Sequence, residues 1–243
     1  MHLLAPLLCC LIATMVDEVP KNAELSAIVA DSATWPDELK TKFQALSEDH
    51  QHYCVMMLAK VWPVAAPLDG LTCVLTDPVT VTQIVSDNAF IGQYRGDSFW
   101  IEGINTSSLA DDDRVRTEGF AFKADGNHRY TTVIGGSKTV QKLRAFDVSE
   151  ATDLVQSVLM RRGFRLFQVE RFEDHPWIIA HVSAISKTSA TLRFEGERKS
   201  FKLSGDHFTA ADREWLNDKK NLAAMKQAKK DWDAANREKP EAE

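Results

Sequence analysis

Residues 165–216 constrain the fold most strongly, because apolar and polar side chains alternate along two stretches on either side of Gly196. Successive side chains on a β-strand point to opposite faces, so a two-residue turn at Gly196-Glu197 fixes how the stretches pair. That turn places Leu192 opposite Phe201 on an apolar face. The same register predicts further pairs: Phe194 with Lys199, Ala190 with Leu203, Thr191 with Lys202, Arg193 with Ser200 and Glu195 with Arg198. The sequence therefore predicts an antiparallel hairpin within a small β-barrel.

A helix cap follows the predicted hairpin. Thr209 and Asp212 stand three residues apart, as in a capping box, whose side chains bind the free amides at the start of a helix. We therefore expect a short helix after Thr209 that buries Trp215 and Leu216.

This part of the chain resembles Sla-one homology domain one, an SH3-like domain of endocytic adaptors that also occurs in exported bacterial proteins. The residues that carry the resemblance are Arg165 and Phe167, Ile178-Ile179-Ala180, Ala190-Thr191-Leu192, Glu195-Gly196, Lys199 through Leu203, Phe208-Thr209 and Asp212 through Leu216. Phe167 replaces the tryptophan of the pattern, and residues 171–176 lack its short glycine-containing turn. The resemblance implies an SH3-like domain at 163–216 with adaptor activity, including binding to cytoskeletal proteins or ubiquitin.

Composition favours a protein of one or two domains with a real core, since 44% of the 243 residues are apolar. The net charge is −6, and basic residues are interspersed with acidic ones, so no broad cationic face for nucleic acid is evident. The predicted class is mainly β with flanking helices, that is, α+β.

The N-terminus carries an apolar run within residues 1–16, which predicts an export signal or a hydrophobic anchor. The run is too short for a stable membrane span, and no Lys or Arg precedes it. Lipidation at Cys9 or Cys10 and a buried N-terminal helix are the alternatives. We expect an exported protein, periplasmic or associated with the cell envelope.

Residues 34–62 read as a helical segment, with one helix beginning at Pro36 and another at Ser47 that stops before Pro63. Residues 70–146 contain five strand-like runs, which predict a small OB-like or SH3-like β-barrel. Hairpin loops are expected at its Tyr94-Arg95-Gly96-Asp97 and Asp125-Gly126 sequences.

Two more helices are expected in the second half of the chain. Residues 147–162 predict a linking helix that buries Leu154, Val155, Val158 and Leu159. The charged tail, 217–243, predicts a solvated helix with a thin apolar stripe, and docking of Trp232 on the barrel or on a partner is the alternative.

The predicted function is non-catalytic binding of a peptide or protein partner, with self-association as one form of it. Arg193 and Lys202 would meet an acidic group, while Trp177 and Phe172 would line an apolar slot. The alternative is that both aromatics are core and both cations only aid solubility. A second hypothesis is glycan or nucleic-acid binding by the middle barrel, whose stacking surfaces would be Tyr94, Trp100 and Tyr130.

No sequence pattern predicts a catalytic residue, a cofactor or a metal site. His50, His52 and Cys54 are spaced by two, so on a helix they face apart. Residues 135–138 lack the earlier glycine of a phosphate loop, and residues 111–113 are expected in a solvated loop. Cys54 and Cys73 could form a disulfide or remain as two core thiols.

Overall fold

A computed structural model describes residues 35–60, 70–132, 134–169, 177–195 and 197–237. The predicted leader, residues 1–16, lies outside these ranges, so export stays a prediction. The described α-helices are α1 (Asp37–Ala45), α2 (Glu48–Ala59), α3 (Ser149–Arg161), α4 (Ala210–Asn217) and α5 (Lys219–Arg237). The strands of the first half are β1 (Thr72–Cys73), β2 (Val79–Ser86), β3 (Ala89–Tyr94), β4 (Asp97–Glu102), β5 (Arg114–Val115), β6 (Phe120–Thr131) and β7 (Ser137–Asp147). Those of the second half are β8 (Arg165–Gln168), β9 (Trp177–Ser186), β10 (Ser189–Phe194) and β11 (Phe201–Ser204).

Strands β1 to β7 form one curled sheet, a half-barrel, in the order β1-β6-β7-β4-β3-β2-β5. All its neighbours are antiparallel except β4 and β7, which run parallel. Near the two edges of the sheet, the Thr117 hydroxyl donates to the Leu75 carbonyl at 2.8 Å. The inner face holds an apolar cluster that includes Phe90, Ile101 and Phe122.

One of the two predicted loops in this sheet is confirmed and the other is wrong. Arg95 and Gly96 both have positive φ and join β3 to β4, with Tyr94 paired to Asp97. Asp125 and Gly126 lie inside β6, where the register with β7 shifts. Positive φ at Gly126 suits a β-bulge as well as a turn, which is why the dipeptide alone misled the prediction.

The second sheet has the order β11-β10-β9-β8 and confirms the predicted hairpin register for the pairs from Ala190–Leu203 to Leu192–Phe201. Leu192 pairs with Phe201 and Thr191 with Lys202. The ladder ends there, because β11 begins at Phe201, and the predicted turn at Gly196 lies outside the described residues. The predicted pairs Phe194–Lys199, Arg193–Ser200 and Glu195–Arg198 fall outside this ladder. The Glu195 carboxylate lies 3.2 Å from Lys60 Nζ and 3.8 Å from Arg162 Nη1.

The starts of α2 and α4 follow the expected capping chemistry, whereas α1 differs by one position. Pro36 caps α1, one position before the place expected for a proline, and the Ser47 hydroxyl accepts the His50 N–H at the start of α2. Helix α2 ends because Lys60 adopts a left-handed conformation. At α4 the Thr209 hydroxyl accepts the Asp212 N–H at 3.2 Å, which confirms half of the predicted capping box.

Helix α3 joins the two sheets through a shared apolar cluster. Its buried residues include all four predicted ones, and they pack with helices α1 and α2, with Val74 and Ala121 of the first sheet region, and with Leu166 and Ile179 of the second sheet. We call this group the central cluster. The fold is therefore mixed α+β, as predicted, with a helical layer in contact with both sheets.

Helix α5 is docked, so the prediction of a solvated tail helix is wrong. Met225 is 0% exposed, and the Val182 N–H on β9 points at its sulfur, 3.3 Å away. Gly163, with φ +74°, lets the helix backbone approach closely: a Cβ there would lie 2.3 Å from Lys229 Cβ. Half-buried Trp232 sits beneath the Arg162 guanidinium at 5.4 Å. None of the described helices is long and apolar enough to cross a membrane.

Candidate partner-binding surface

Arg193 and Lys202 share the outer face of the second sheet. Lys202 lies opposite Thr191, and Arg193 lies two residues further along β10, so both side chains point to the same side. Lys202 is exposed and Arg193 is half-buried. Within the described ranges neither cation forms an ion pair, so both charges remain available to a ligand.

Of the two predicted aromatic residues, the structure describes only Trp177. Trp177 begins β9, is half-buried and packs against the central cluster, which favours the alternative that it is a core residue. Phe172 lies outside the described residues. The structure thus brings Arg193 and Lys202 together and places Trp177 against the helical layer.

A cleft of about 440 Å³ opens between β9 and α5, beside Arg193. The cleft is lined by His181, Lys226, Lys229, Lys230, Asp233 and Ala234. His181 pairs with Arg193 across the β9–β10 ladder, so the cleft and the two predicted cations lie on one side of the sheet. We call this group of side chains the basic cleft.

His181 is fixed at the base of the basic cleft. It is 7% exposed, and its Nδ1 lies 2.8 Å from the Gly163 carbonyl oxygen. A carbonyl only accepts, so Nδ1 carries the proton and Nε2 is left for other partners. Burial lowers the pKa of His181, the Gly163 bond opposes this, and the positive charges of Arg193, Lys229 and Lys226 lower the pKa further.

The basic cleft was not predicted, because a solvated tail helix was expected. A signal was present, since Leu222, Met225 and Trp232 fall on one stripe of a helix and could have indicated a packed face. Once that stripe is docked, the lysines beside it are brought to the outer face of the sheet. Their position therefore depends on the packing of α5.

Three residues that carry the resemblance to Sla-one homology domain one, Arg165, Asp212 and Trp215, meet away from this surface and stabilise the fold. Arg165 Nη2 lies 3.0 Å from the Asp212 carboxylate, and the guanidinium lies 4.5 Å from the centre of the Trp215 ring. The other Asp212 oxygen accepts the Gln168 N–H at 2.8 Å, so this carboxylate serves a strand amide in addition to Arg165. These contacts hold α4 against β8.

The stacking surface predicted for the middle barrel, which is the seven-stranded sheet, is not assembled as predicted. Tyr94 is buried in the inner cluster, where its hydroxyl accepts the Thr76 N–H at 3.2 Å, so its assignment as a stacking residue is wrong. Trp100 and Tyr130 do share the outer face. His128 covers Trp100 with ring centres 3.7 Å apart, which leaves the indole 9% exposed.

The remaining candidates for chemistry occupy structural positions. Cys54 and Cys73 are free and buried, and burial raises the pKa of each thiol to about 12. Both ring nitrogens of His50 have partners, Ser47 Oγ at 2.6 Å and the Asp147 carbonyl at 2.7 Å. Residues 135–136 lie in the turn between β6 and β7, and no helix follows them there. Across the described ranges, no group of three acidic, histidine or cysteine side chains is arranged to hold a metal ion.

Comparison with family models, curated proteins and solved structures finds no match to this chain.

Proposed function

We propose that this chain is a non-catalytic interaction protein that binds an extended, acidic segment of a protein partner along β11. The observation that carries the proposal is the pair of cations, Arg193 and Lys202, which lack ion-pair partners in the described chain. Lys202 lies on β11 at the edge of the sheet, and Arg193 lies on the neighbouring strand β10. An arginine and a lysine in this position suit the carboxylates of a partner.

The backbone of β11 supports the same mode of binding. Among the described strands, β11 is the last of its sheet. The Gly205 N–H donates to the Thr188 carbonyl at 2.7 Å, and antiparallel ladders alternate between bonded and non-bonded pairs. By this alternation, the amide and carbonyl groups of Lys202 and Ser204 point away from β10. An extended peptide could use them to add a strand.

The geometry of the second sheet is consistent with an SH3-like barrel. A single bridge joins Val169, just after β8, to Phe208, just after the short 3-10 helix Gly205–His207. This bridge brings the two ends of the sheet toward each other, as in a small barrel. The resemblance to the adaptor domain rests on the sequence pattern, and the bridge and the Arg165–Asp212 contact are consistent with it.

The test is selection of extended peptides from a random display library, followed by measurement of their affinities. The Arg193→Ala/Lys202→Ala variant should bind the selected acidic peptides at least tenfold more weakly, at an unchanged melting temperature. The matched control is Lys219→Ala/Lys220→Ala, which removes the same number of charges from exposed positions of α5. N-methylation of alternate peptide amides should abolish binding in one register only. Equal affinities for the two double variants would exclude this surface.

A further inference from the structure

We propose that the basic cleft is an anion site that takes a multiply charged phosphate group, separate from peptide binding along β11. The site would be formed by Lys226 and Lys230 of α5 and by His181 of β9. The proposal does not rest on the peptide-binding function, because the two surfaces use different side chains and can be removed one at a time.

The spacing of the lysines concentrates positive charge on one side of α5. Lys226, Lys229 and Lys230 stand three and four residues apart, so their side chains are neighbours on the helix surface. Like charges at these spacings destabilise a helix. The chain as a whole is acidic, with a net charge of −6, so this cluster runs against the overall composition.

Only one of these lysines is neutralised within the described part of the chain. Lys229 bonds to Asp233 one turn further along and also lies over the Phe164 ring at 5.6 Å. Lys226 and Lys230 have no ion-pair partner there, and both are exposed. Two uncompensated ammonium groups therefore line the cleft, and an anion would relieve their repulsion.

His181 adds a directional group to this charge. Its ring is fixed by the Gly163 carbonyl, so Nε2 is the nitrogen that remains for a ligand in the cleft. With the imidazole neutral, Nε2 accepts the proton of a singly protonated phosphate; with the imidazole protonated, it donates to a phosphate oxygen. A bound anion would favour the protonated imidazole and raise the pKa of His181.

The chemistry of the lining favours phosphate over a lone carboxylate. A phosphate ester carries a charge of about −1.5 to −2 at pH 7 and presents three acceptor oxygens. Lysines act as point charges that can surround such a group, whereas bidentate carboxylate binding is the speciality of arginine. Asp233 would repel the ligand, but its charge is compensated by Lys229.

The experiment is a titration of the full chain with inorganic pyrophosphate at constant ionic strength, followed by NMR of the histidine Cε1–H signals and by calorimetry. Saturable binding that raises the pKa of His181 is expected. The Lys226→Gln/Lys230→Gln variant should lose at least tenfold in affinity. The control Lys219→Gln/Lys220→Gln, with the same change in net charge on the same helix, should lose less than about twofold.

Three results would overturn the proposal: no saturable binding, an equal loss in the two double variants, or an unmoved His181 signal. Citrate serves as the carboxylate arm, and citrate binding as tight as pyrophosphate binding would contradict the preference for phosphate. The Lys202→Ala variant should retain pyrophosphate binding. Selected peptides should bind Lys226→Gln/Lys230→Gln normally, so failure at one surface is distinguishable from failure at the other.

Discussion

At the scale of single residues, Arg165 and Asp212 form a contact on which the end of the second sheet depends. The Asp212 side chain is 6% exposed and the Arg165 side chain 17%. Arg165 Nε is buried and has no hydrogen-bond partner among the described residues. The guanidinium therefore relies on Asp212 for its compensating charge, and it lies 5.6 Å from the centre of the Phe167 ring and 4.5 Å from that of the Trp215 ring.

We expect Asp212→Asn to lower the free energy of unfolding by about 3–5 kcal/mol, because it leaves a largely buried guanidinium without a counter-charge. Urea denaturation at neutral pH would measure the change. Glu214→Gln, at an exposed position of the same helix, should change the stability by less than about 0.5 kcal/mol. Similar stabilities for the two variants would show that Asp212 does not stabilise Arg165.

At the scale of elements, the docking of α5 rests on one fully buried side chain. Met225 packs with the apolar residues of the second sheet, and Leu222 lies beside it. Gly163 permits the close approach of the helix further along. The basic cleft is formed between α5 and β9, so it should be lost if the helix detaches.

Met225→Ala should cost about 2–5 kcal/mol of unfolding free energy, the usual range when a buried Met is truncated to Ala. Hydrogen exchange should then show loss of amide protection along residues 219–237 first. Lys220→Ala, at an exposed position of the same helix, should leave both measurements almost unchanged. An unaffected Met225→Ala protein would mean that the tail is solvated after all.

The elements that sequence reasoning predicted well are those fixed by local chemistry. The register of β10 with β11 follows from alternation, and the starts of α2 and α4 follow from Ser47 and Thr209. Such signals act over a few residues, so they can be read without knowing the rest of the fold. The shared face of Arg193 and Lys202 could be predicted for the same reason, because it follows from the alternation along β10 and β11.

The elements that were missed depend on distant contacts. The bulge at Gly126 and a hairpin turn make the same demand on the backbone, and only the partner strand distinguishes them. Strand β7 joins β4 in parallel, a pairing between segments far apart in the chain that alternation alone does not specify. The basic cleft was missed because it requires α5 to pack against β9.

At the scale of the whole molecule, the central cluster ties the two sheets to one set of helices. Strain or charge introduced beside either sheet should therefore lower the stability of the whole protein through this shared core. Two histidines occupy such places. His52 lies on α2, with its Nδ1 3.5 Å from the hydroxyl of Thr72 on β1, and His181 lies on β9, where it lines the cleft with residues of α5.

We expect the protein to lose stability as the pH falls from 7.5 to 5.5. Burial, followed by the positive charge of Lys123, lowers the pKa of His52 below its ordinary 6.5, and burial is also the first cause of the lowered pKa of His181. The unfolded chain then binds more protons than the folded one, so the stability present above pH 6.5 is lost on acidification toward the folded pKa values. Each histidine can contribute at most about 1.4 kcal/mol per pH unit.

Urea denaturation at pH 7.5, 6.5 and 5.5 would measure this dependence, with tryptophan fluorescence and circular dichroism as independent probes. The pKa values of Asp49 and Glu102 are lowered from their ordinary values of 3.8 and 4.5. These carboxylates therefore titrate below pH 5.5 and do not mask the contribution of the histidines. His52→Gln/His181→Gln should flatten the profile, and each single variant should remove part of the slope. A stability that stays constant or rises on acidification would contradict the assignment.

If the two probes gave different midpoints, the two sheets would not unfold as one unit through the central cluster.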